Sequence, residues 1–183
     1  MVQYLYAVTE DKQIVSAIDL AGHTITEKYT CISCENELTA KVNGKKLAPH
    51  FAHKIQIECN GETYLHKLAK LTFYNTYIKC INDGKPYTIE LKQTKECRKY
   101  KSLLFKNCNL GEFEKKHNLI NYYSNIVMEK RDGEFIPDLL LSSNKNPKDK
   151  IYIEIAVTHF LSEKKRTICY EDNSNTNRDR IGY

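Results

Sequence analysis

The sequence predicts an α/β fold in which a small β-rich region precedes a larger core of helix and strands. Residues 1–60 carry short apolar, β-branched runs separated by turn residues, which is typical of strands. Between residues 62 and 80, apolar side chains recur at helical spacing, and the following Asn-Asp-Gly-Lys-Pro is expected to end that helix. Two strand-like apolar runs near the C-terminal end complete the pattern.

Each predicted element rests on its local pattern. We expect the apolar face of the helix to be formed by Leu65, Leu68, Ala69, Thr72, Phe73 and Thr76. We expect a short helix from about Ser162, and strands at 4–8, 14–18, 38–42, 47–53, 87–92, 103–105, 126–129, 135–141 and 151–158. The predicted domains are a β-rich region at 1–60, a core at 61–170 and a polar tail at 171–183.

Composition narrows the class of protein. The chain has 183 residues, of which 41% are hydrophobic, enough for one domain with a small additional region. Its net charge of +5 suits a polyanionic partner without requiring one. No apolar stretch reaches membrane-spanning length and the first residues lack a signal-peptide pattern, so we expect a cytoplasmic protein that does not bind membranes. Seven cysteines in that setting indicate metal ligands or reduced thiols rather than disulfides.

A Cys-x-x-Cys motif lies in the β-rich region. Two cysteines at this spacing can bind one tetrahedral zinc ion from a tight turn, and an Asn-Gly hairpin would fold a downstream His/Cys group back onto them. Residues 1–60 are therefore expected to form a zinc-ribbon-like region. Five candidates compete for four positions. The favoured set is Cys31, Cys34, His53 and Cys59, with His50 as the substitute. A redox dithiol is the alternative, but no thioredoxin-like βαβ pattern surrounds the motif.

Two acids interrupt the late apolar runs, Asp138 in FIPDLLL and Glu154 in IYIEIAVT. If Leu141 pairs with Ile151 in a hairpin, strand alternation places the two acids opposite each other on one face. Opposed like charges are destabilising, and a divalent cation removes the repulsion. The pattern therefore predicts a metal site for hydrolysis, although two solvent-facing acids would produce the same sequence.

A polar stripe runs along the predicted helix. Glu62, His66 and Lys70 are four residues apart and therefore share one side of it. Ordinary salt-bridge spacing on an exposed helix gives the same pattern.

A basic segment lies between Cys97 and Cys108, two cysteines that could meet at the ends of a hairpin. Its cations, with interleaved aromatic residues, could follow a phosphate backbone, and a solvated surface explains them equally well. The candidate nucleic-acid contacts are Arg98, Lys99 and Lys101, together with Lys70 of the helix.

Taken together, the motifs Cys-x-x-Cys, HFAH, ETYLHKLAK, FIPDLLL and IEIAVTH resemble the competence protein CoiA-like family over roughly residues 30–165. That family is assigned to the PD-(D/E)XK nuclease superfamily with a zinc-binding N-terminal region. The resemblance implies a restriction-endonuclease-like core of mixed sheet with flanking helices. It also implies that Asp138 and Glu154 bind catalytic Mg²⁺ or Mn²⁺, that Glu62 is the helix acid, and that the activity is a metal-dependent nuclease acting on DNA.

The sequence departs from the superfamily pattern at one position. The superfamily carries a lysine two residues after the second strand acid, where this chain has Ala156. The resemblance favours Lys165 as the replacement cation, with Lys164 and Lys70 as the other candidates, and His66 as a further group able to position water. Ala156 also favours the alternative function, a non-catalytic zinc-containing DNA-binding protein with a degenerate nuclease fold.

Overall fold

The computed structural model describes residues 4–97, 103 and 108–157, with the side chains of 96–97 and 108–110 left undescribed. Several predictions concern other parts of the chain and lie outside the described residues. They are the helix near Ser162, the polar tail, most of the strand at 103–105, and the roles of Arg98, Lys99, Lys101, Lys164 and Lys165.

Ten β-strands, one α-helix and one 3-10 turn form in the described residues. The strands are β1 (Tyr6–Thr9), β2 (Ile14–Ser16), β3 (Tyr29–Thr30), β4 (Glu37–Lys41), β5 (His50–His53), β6 (Thr88–Cys97), β7 (Cys108–Asn118), β8 (Asn125–Met128), β9 (Leu139–Ser142) and β10 (Lys150–Ile153). The helix is α1 (Gly61–Asp83), and the 3-10 turn is Leu119–Asn121.

The strands form three sheets with the orders β2-β1-β3-β4-β5, β10-β9-β8 and β6-β7. Every named strand pair in the described part of the chain is antiparallel, so the mixed sheet expected from the resemblance is not seen there. The fold is therefore mixed α/β with mostly antiparallel sheets. The described residues form two compact units, a first unit of 4–72 with 155–157 and a second unit of 73–154. The division between them falls inside α1, whereas the sequence placed a boundary at residue 60.

Local chemistry sets both ends of α1. The side-chain Oδ1 of Asn60 accepts hydrogen bonds from the amides of Glu62, at 2.9 Å, and Thr63, at 3.4 Å, as an N-cap does. At the other end Gly84 has a φ of 65°, which glycine adopts without a steric penalty. The amide of Lys85 then bonds the carbonyl of Cys80 at 2.9 Å, which gives the Schellman ending. Within the described residues, no helix has the length and apolar character needed to span a membrane.

The buried side of α1 differs from the predicted one. Tyr64, Lys70 and Tyr77 are buried, whereas Leu65 is 49% exposed. Of the other residues on the predicted apolar face, Ala69, Thr72 and Thr76 are exposed, and Leu68 and Phe73 are half-buried. Polar and apolar residues alternate closely along this helix, so the spacing of its apolar residues does not identify which side of the helix is buried. The large tyrosine rings are buried because their hydroxyls find partners.

The core of the first unit lies between the five-stranded sheet and the start of α1. Its buried residues are Tyr4, Ala7, Ala17, Tyr29, Cys31, Ile32, Leu38, Val42, Phe51 and Tyr64. Tyr64 is fixed on β1 because its hydroxyl donates to the carbonyl of Tyr6 at 2.9 Å and accepts from the amide of Tyr6 at 3.0 Å.

The second unit contains the three-stranded sheet, whose central strand β9 has three buried leucines. Its helical part packs through Tyr77, which is fully buried and donates to the carbonyl of Tyr123 at 2.7 Å. Beside the sheet, the Asp132 carboxylate accepts hydrogen bonds from Lys150 Nζ, at 2.6 and 2.8 Å, and from the Tyr152 hydroxyl, at 2.9 Å. These bonds connect the turn before β9 to β10.

Candidate metal centre and acidic strand ends

The Cys-x-x-Cys motif forms a tight turn directly after β3. The amide of Cys31 donates to the carbonyl of Asn36, and the amide of Glu35 donates to the carbonyl of Cys31, both at 2.9 Å. Glu35 has a φ of 61°, a left-handed conformation that closes the turn. The turn directs Cys31 into the core and leaves Cys34 half-buried.

The hairpin of β4 and β5 brings the third member of the cluster to this turn. Leu38 pairs with His53 and Lys41 with His50, so a hairpin forms as predicted, but its connection spans 42–49 and is longer than a two-residue Asn43-Gly44 turn. His53 lies at the end of β5, beside the start of β4, which follows the motif. Cys59 follows a short connection and directly precedes the N-cap residue Asn60. The turn after β3, the register of β5 and the start of α1 therefore place the four side chains.

The structure brings together Cys31, Cys34, His53 and Cys59, the four residues that the sequence favours. Their ligand atoms all lie within 4.8 Å of one another. The sulfur atoms of Cys31 and Cys59 are 3.7 Å apart, and the Cys34 sulfur lies 3.2 Å from His53 Nε2. Tetrahedral zinc with Zn–S bonds of about 2.3 Å separates two sulfurs by roughly 3.8 Å, so the donor set fits an ion such as zinc.

The pKa values of the two motif thiols are shifted in opposite directions. Burial opposes ionisation of Cys34, but hydrogen bonds from Asn36, His53 and Cys31 outweigh it and lower the pKa of this thiol to about 6. Burial raises the pKa of Cys31 to about 12. Cys34 would therefore bind a cation as the thiolate near neutral pH, whereas Cys31 would have to lose its proton to do so.

His50 lies outside the cluster. It is buried, and its Nδ1 donates to the carbonyl of Ala48 at 2.8 Å. The substitute role that the sequence left open for His50 is therefore unnecessary, because the ring is held by the backbone.

The two acids lie just outside β9 and β10, Asp138 directly before β9 and Glu154 directly after β10. Leu141 pairs with Ile151, as the predicted hairpin requires, and the ladder ends with Leu139 opposite Ile153. Asp138 and Glu154 are the next residues in this register. Both are half-buried, and Oε1 of Glu154 is removed from solvent.

Glu129 is an acidic residue at this edge that the sequence pattern did not single out. It follows β8 in the register that pairs Met128 with Leu139, and its amide donates to the carbonyl of Asp138 at 3.1 Å. Its φ is 49° and its side chain is exposed. An acid placed directly after an apolar run, as at Glu154, is the sequence signal that could have identified it.

The polar stripe of α1 borders a cleft in the first unit. Glu62 and His66 line it together with Asn60, Thr63, Ile155 and Val157, and its volume is about 280 Å³. Glu62 is exposed and His66 half-buried, so the cleft offers one carboxylate and one imidazole to a ligand. Ala156 is exposed and is not part of the lining.

Two further predicted groups have distinct environments. Lys70, the third residue of the stripe, is only 7% exposed, which does not suit the surface contact with nucleic acid predicted for it.

Cys97 and Cys108 are opposite each other on β6 and β7, so the backbone forms the hairpin that the sequence suggested.

The fold and the cluster define the class of this protein: a mostly antiparallel α/β protein whose N-terminal region carries a Cys/His site able to bind a metal such as zinc. Residues 15–62 match the family model described as competence protein CoiA, N-terminal domain. The match includes all four cluster residues and confirms the resemblance to the CoiA-like family over that segment. No curated protein and no solved structure matches the chain.

Proposed function

We propose that this protein is a metal-dependent nuclease that hydrolyses phosphodiester bonds in DNA, with the restriction-endonuclease-like core and PD-(D/E)XK chemistry that the family resemblance implies. The observation that supports it most is the strand ladder that pairs Leu141 with Ile151 and ends with Leu139 opposite Ile153, because Asp138 directly precedes Leu139 and Glu154 directly follows Ile153. Opposed carboxylates repel each other, and a bound Mg²⁺ or Mn²⁺ offsets that repulsion.

Asp138 and Glu154 would hold the cation through their carboxylate oxygens. When bound, Mg²⁺ or Mn²⁺ supplies an acidified water and offsets charge at the scissile phosphate. Partial burial of both acids limits competing solvent, which strengthens their attraction for a cation. The resemblance gives Glu62 the role of the helix acid. His66, one turn further along α1 than Glu62, would be the group that holds or moves a proton.

The second part of the proposal is a structural zinc ion held by Cys31, Cys34, His53 and Cys59. The support is the Cys₃His donor set with its interatomic separations. A four-ligand site of this kind is closed and leaves no position for substrate, so its contribution is to folding.

The test of the nuclease uses the full chain with supercoiled plasmid and Mg²⁺ or Mn²⁺. Asp138→Asn and Glu154→Gln are each expected to reduce cleavage by roughly 10²-fold or more, as removal of one charge-stabilising group does. Calorimetry should show weaker Mn²⁺ binding in both variants. Glu134→Gln, which neutralises an exposed acid of the same unit, is the matched control and should change neither measurement. Unchanged cleavage and Mn²⁺ affinity in Asp138→Asn would refute the proposed site.

The cation that replaces the superfamily lysine is Lys165 in this proposal. Lys165→Ala should reduce turnover by roughly 10²-fold. Because Ala156 is exposed, Ala156→Lys can be accommodated and is expected to restore part of the lost rate. Lys164→Ala and Lys70→Ala are the comparison variants. Wild-type rates in all three alanine variants would leave His66 as the better assignment.

A second candidate function is supported by Ala156, since no lysine stands at the usual position. In that case the chain is a non-catalytic zinc-containing DNA-binding protein. It would bind duplex DNA with a salt-dependent affinity and leave the plasmid intact at every metal concentration.

A further inference from the structure

Strands β6 and β7 form a sheet of their own. Within the part of the chain that the structure describes, the two strands pair only with each other, so each has an outer edge that no other described strand pairs with. The ladder is regular over residues 88–94 and becomes irregular between Thr94 and Glu96. A two-stranded hairpin is marginally stable alone, and a regular edge without proline pairs readily with another strand. The outer edge of β6 is therefore a surface on which we expect a partner strand.

The two faces of this hairpin differ in character. One face carries apolar side chains, of which Ile89 and Leu91 are half-buried and Phe113 is 43% exposed. Residues opposite each other share a face, so strand alternation separates these side chains from the polar ones. The polar face consists of exposed side chains that are charged or carry a hydroxyl: Thr88, Glu90, Lys92, Thr94, Glu112, Glu114 and Lys116. A strand added at the edge of β6 has to match both faces at once.

Charges on the polar face are complementary across the two strands. Glu90 is opposite Lys116, with an ion pair of 3.0 Å between their side chains, and Lys92 is opposite Glu114. Along β6 itself, Glu90 and Lys92 lie on either side of Leu91. Opposite charges in facing positions favour strand pairing, whereas like charges oppose it. An antiparallel partner strand is therefore favoured if it places a cation opposite Glu90 and an anion opposite Lys92.

The β6 strand of a second copy meets that requirement. When two copies of β6 run antiparallel about a two-fold axis at Leu91, Glu90 of each copy lies opposite Lys92 of the other, and Leu91 lies opposite its own counterpart. The regular segment 88–94 then pairs with itself over its whole length, because Leu91 is its midpoint. The charged rows alternate in sign across all four strands, and the apolar faces of the two copies join.

The outer edge of β7 suits such self-pairing less well. A two-fold arrangement that sets Glu114 opposite Lys116 of a second copy is centred on Lys115 and places two lysines opposite each other. The next two registers toward the start of β7 set Glu114 opposite itself or Glu112 opposite Glu114. Like charges therefore meet in each of these registers, whereas the β6 register centred on Leu91 contains no such pair.

We propose that this protein forms a symmetric homodimer in which β6 of one copy pairs antiparallel with β6 of the other, with Leu91 at the two-fold axis. A two-fold dimer uses the same surface on both copies, so one self-complementary edge is sufficient. The resulting four-stranded sheet has the number of strands that a stable sheet needs, which the hairpin alone lacks. The inference depends on neither the metal centre nor the nuclease activity.

Sedimentation velocity of the full chain over a series of concentrations measures the self-association. The wild-type protein should move with concentration toward the mass of two chains. Lys92→Glu sets two carboxylates opposite each other at both symmetry-related positions, and Glu90→Lys sets two ammonium groups there. Each variant is expected to associate with itself roughly 10- to 100-fold more weakly than the wild type, because two attractive pairs become repulsive.

A mixture of these two variants provides the sharpest measurement. Each copy of Lys92→Glu then faces opposite charges on a copy of Glu90→Lys at both positions, so an equal mixture should regain the wild-type association. Damage to the fold of either variant is not repaired by mixing, and the mixture therefore separates a lost contact from a structural defect.

Lys116→Glu is the matched control. It makes the same charge change on the same face and removes the ion pair with Glu90 inside the hairpin, but it lies on β7, away from the proposed contact. It should leave the self-association unchanged. Leu91→Glu tests the two-fold position itself, and within one copy the new carboxylate lies opposite Lys115, which favours an intact hairpin. Its self-association should be weaker by a similar factor.

A wild-type chain that stays monomeric at every concentration would overturn the inference. Unchanged association in Lys92→Glu or in Leu91→Glu would do so too, as would a mixture that regains no association. Equal weakening in Lys116→Glu would show that β6 is not the contact edge, and this result would also refute the proposed dimer.

Discussion

Lys67 and Ser33 connect the helix to the Cys-x-x-Cys turn. The ammonium group of Lys67 donates to the carbonyl oxygen of Ser33 at 2.9 Å, and Ser33 lies between the two cysteines of the motif. A turn that presents cluster residues needs its backbone held in place, and the side chain of Lys67 provides one such contact from α1. This bond could not be inferred from the sequence, because it joins residues that are far apart along the chain.

Replacing Lys67 with methionine is expected to lower the free energy of unfolding by about 1–2 kcal/mol. The reason is the loss of a charge-assisted hydrogen bond to a half-buried backbone group. Urea denaturation of the zinc-loaded protein measures the change. Lys79→Met, on an exposed position of the same helix, is the control and should be nearly neutral. An equal loss in both variants would contradict the role of the Ser33 contact.

The purified protein is expected to contain about one zinc ion per chain. Cys31→Ser should remove it and lower the melting temperature, because binding energy at such a site is folding energy. Elemental analysis and thermal unfolding with and without a chelator check this. Cys80→Ser provides the comparison, since Cys80 is half-buried and lies outside the cluster. A zinc-free native protein with a fully stable Cys31→Ser variant would exclude the site.

Glu35→Gly is expected to stabilise the protein by about 0.5–1 kcal/mol. Glu35 holds a φ of 61°, which is unfavourable for a residue with a side chain and easy for glycine. Part of the gain is offset because glycine makes the unfolded chain more flexible. Glu58→Gly, at an exposed position without a positive φ, should instead reduce stability. Chemical denaturation compares the two variants, and a loss in Glu35→Gly would show that the turn carries no such strain.

Ionisation of the Asp132 carboxylate makes the free energy of unfolding depend on pH. Hydrogen bonding from Lys150, opposed by burial and assisted by Tyr152, lowers the pKa of Asp132 below its usual range. A folded-state pKa below the unfolded value of about 3.9 stabilises the fold above that pH, and the contribution disappears as the pH falls through the folded pKa.

Asp132→Asn should therefore reduce the free energy of unfolding by about 1–2 kcal/mol at pH 7, since the ion pair is only partly exposed. The difference from wild type should shrink as the pH falls below about 4. Denaturant melts at pH 7, 5 and 3 test this, and a difference that stays constant with pH would show that the carboxylate charge is not involved.

The hairpin register and the Cys/His set could be predicted because each follows from local rules. Turn residues between two apolar runs indicate a hairpin, and the register considered for it, with Leu141 opposite Ile151, is the one that forms. Likewise, the Cys-x-x-Cys spacing and a hairpin leading to the downstream His/Cys group were enough to predict the four cluster residues, whereas the length of the β4–β5 connection was not predicted.

Other features depend on contacts that local rules do not describe. The two-residue strand β3 is too short to give a pattern, and β7 is rich in charged residues that argue against a strand. The side of α1 that becomes buried is decided by Tyr64, whose hydroxyl bonds to the distant backbone of Tyr6 and so favours the burial of its ring over that of Leu65.

The nearly sequential order of the first sheet affects how the protein assembles. Strands β3, β4 and β5 are consecutive neighbours, so the chain closes only short loops to unite Cys31, Cys34 and His53. Cys59 follows shortly afterwards and precedes the first residue of α1. During synthesis the complete donor set therefore leaves the ribosome before Glu62 does. Binding of an ion at this cluster would then nucleate folding of the N-terminal part before the segments with Asp138 and Glu154, next to β9 and β10, have been translated.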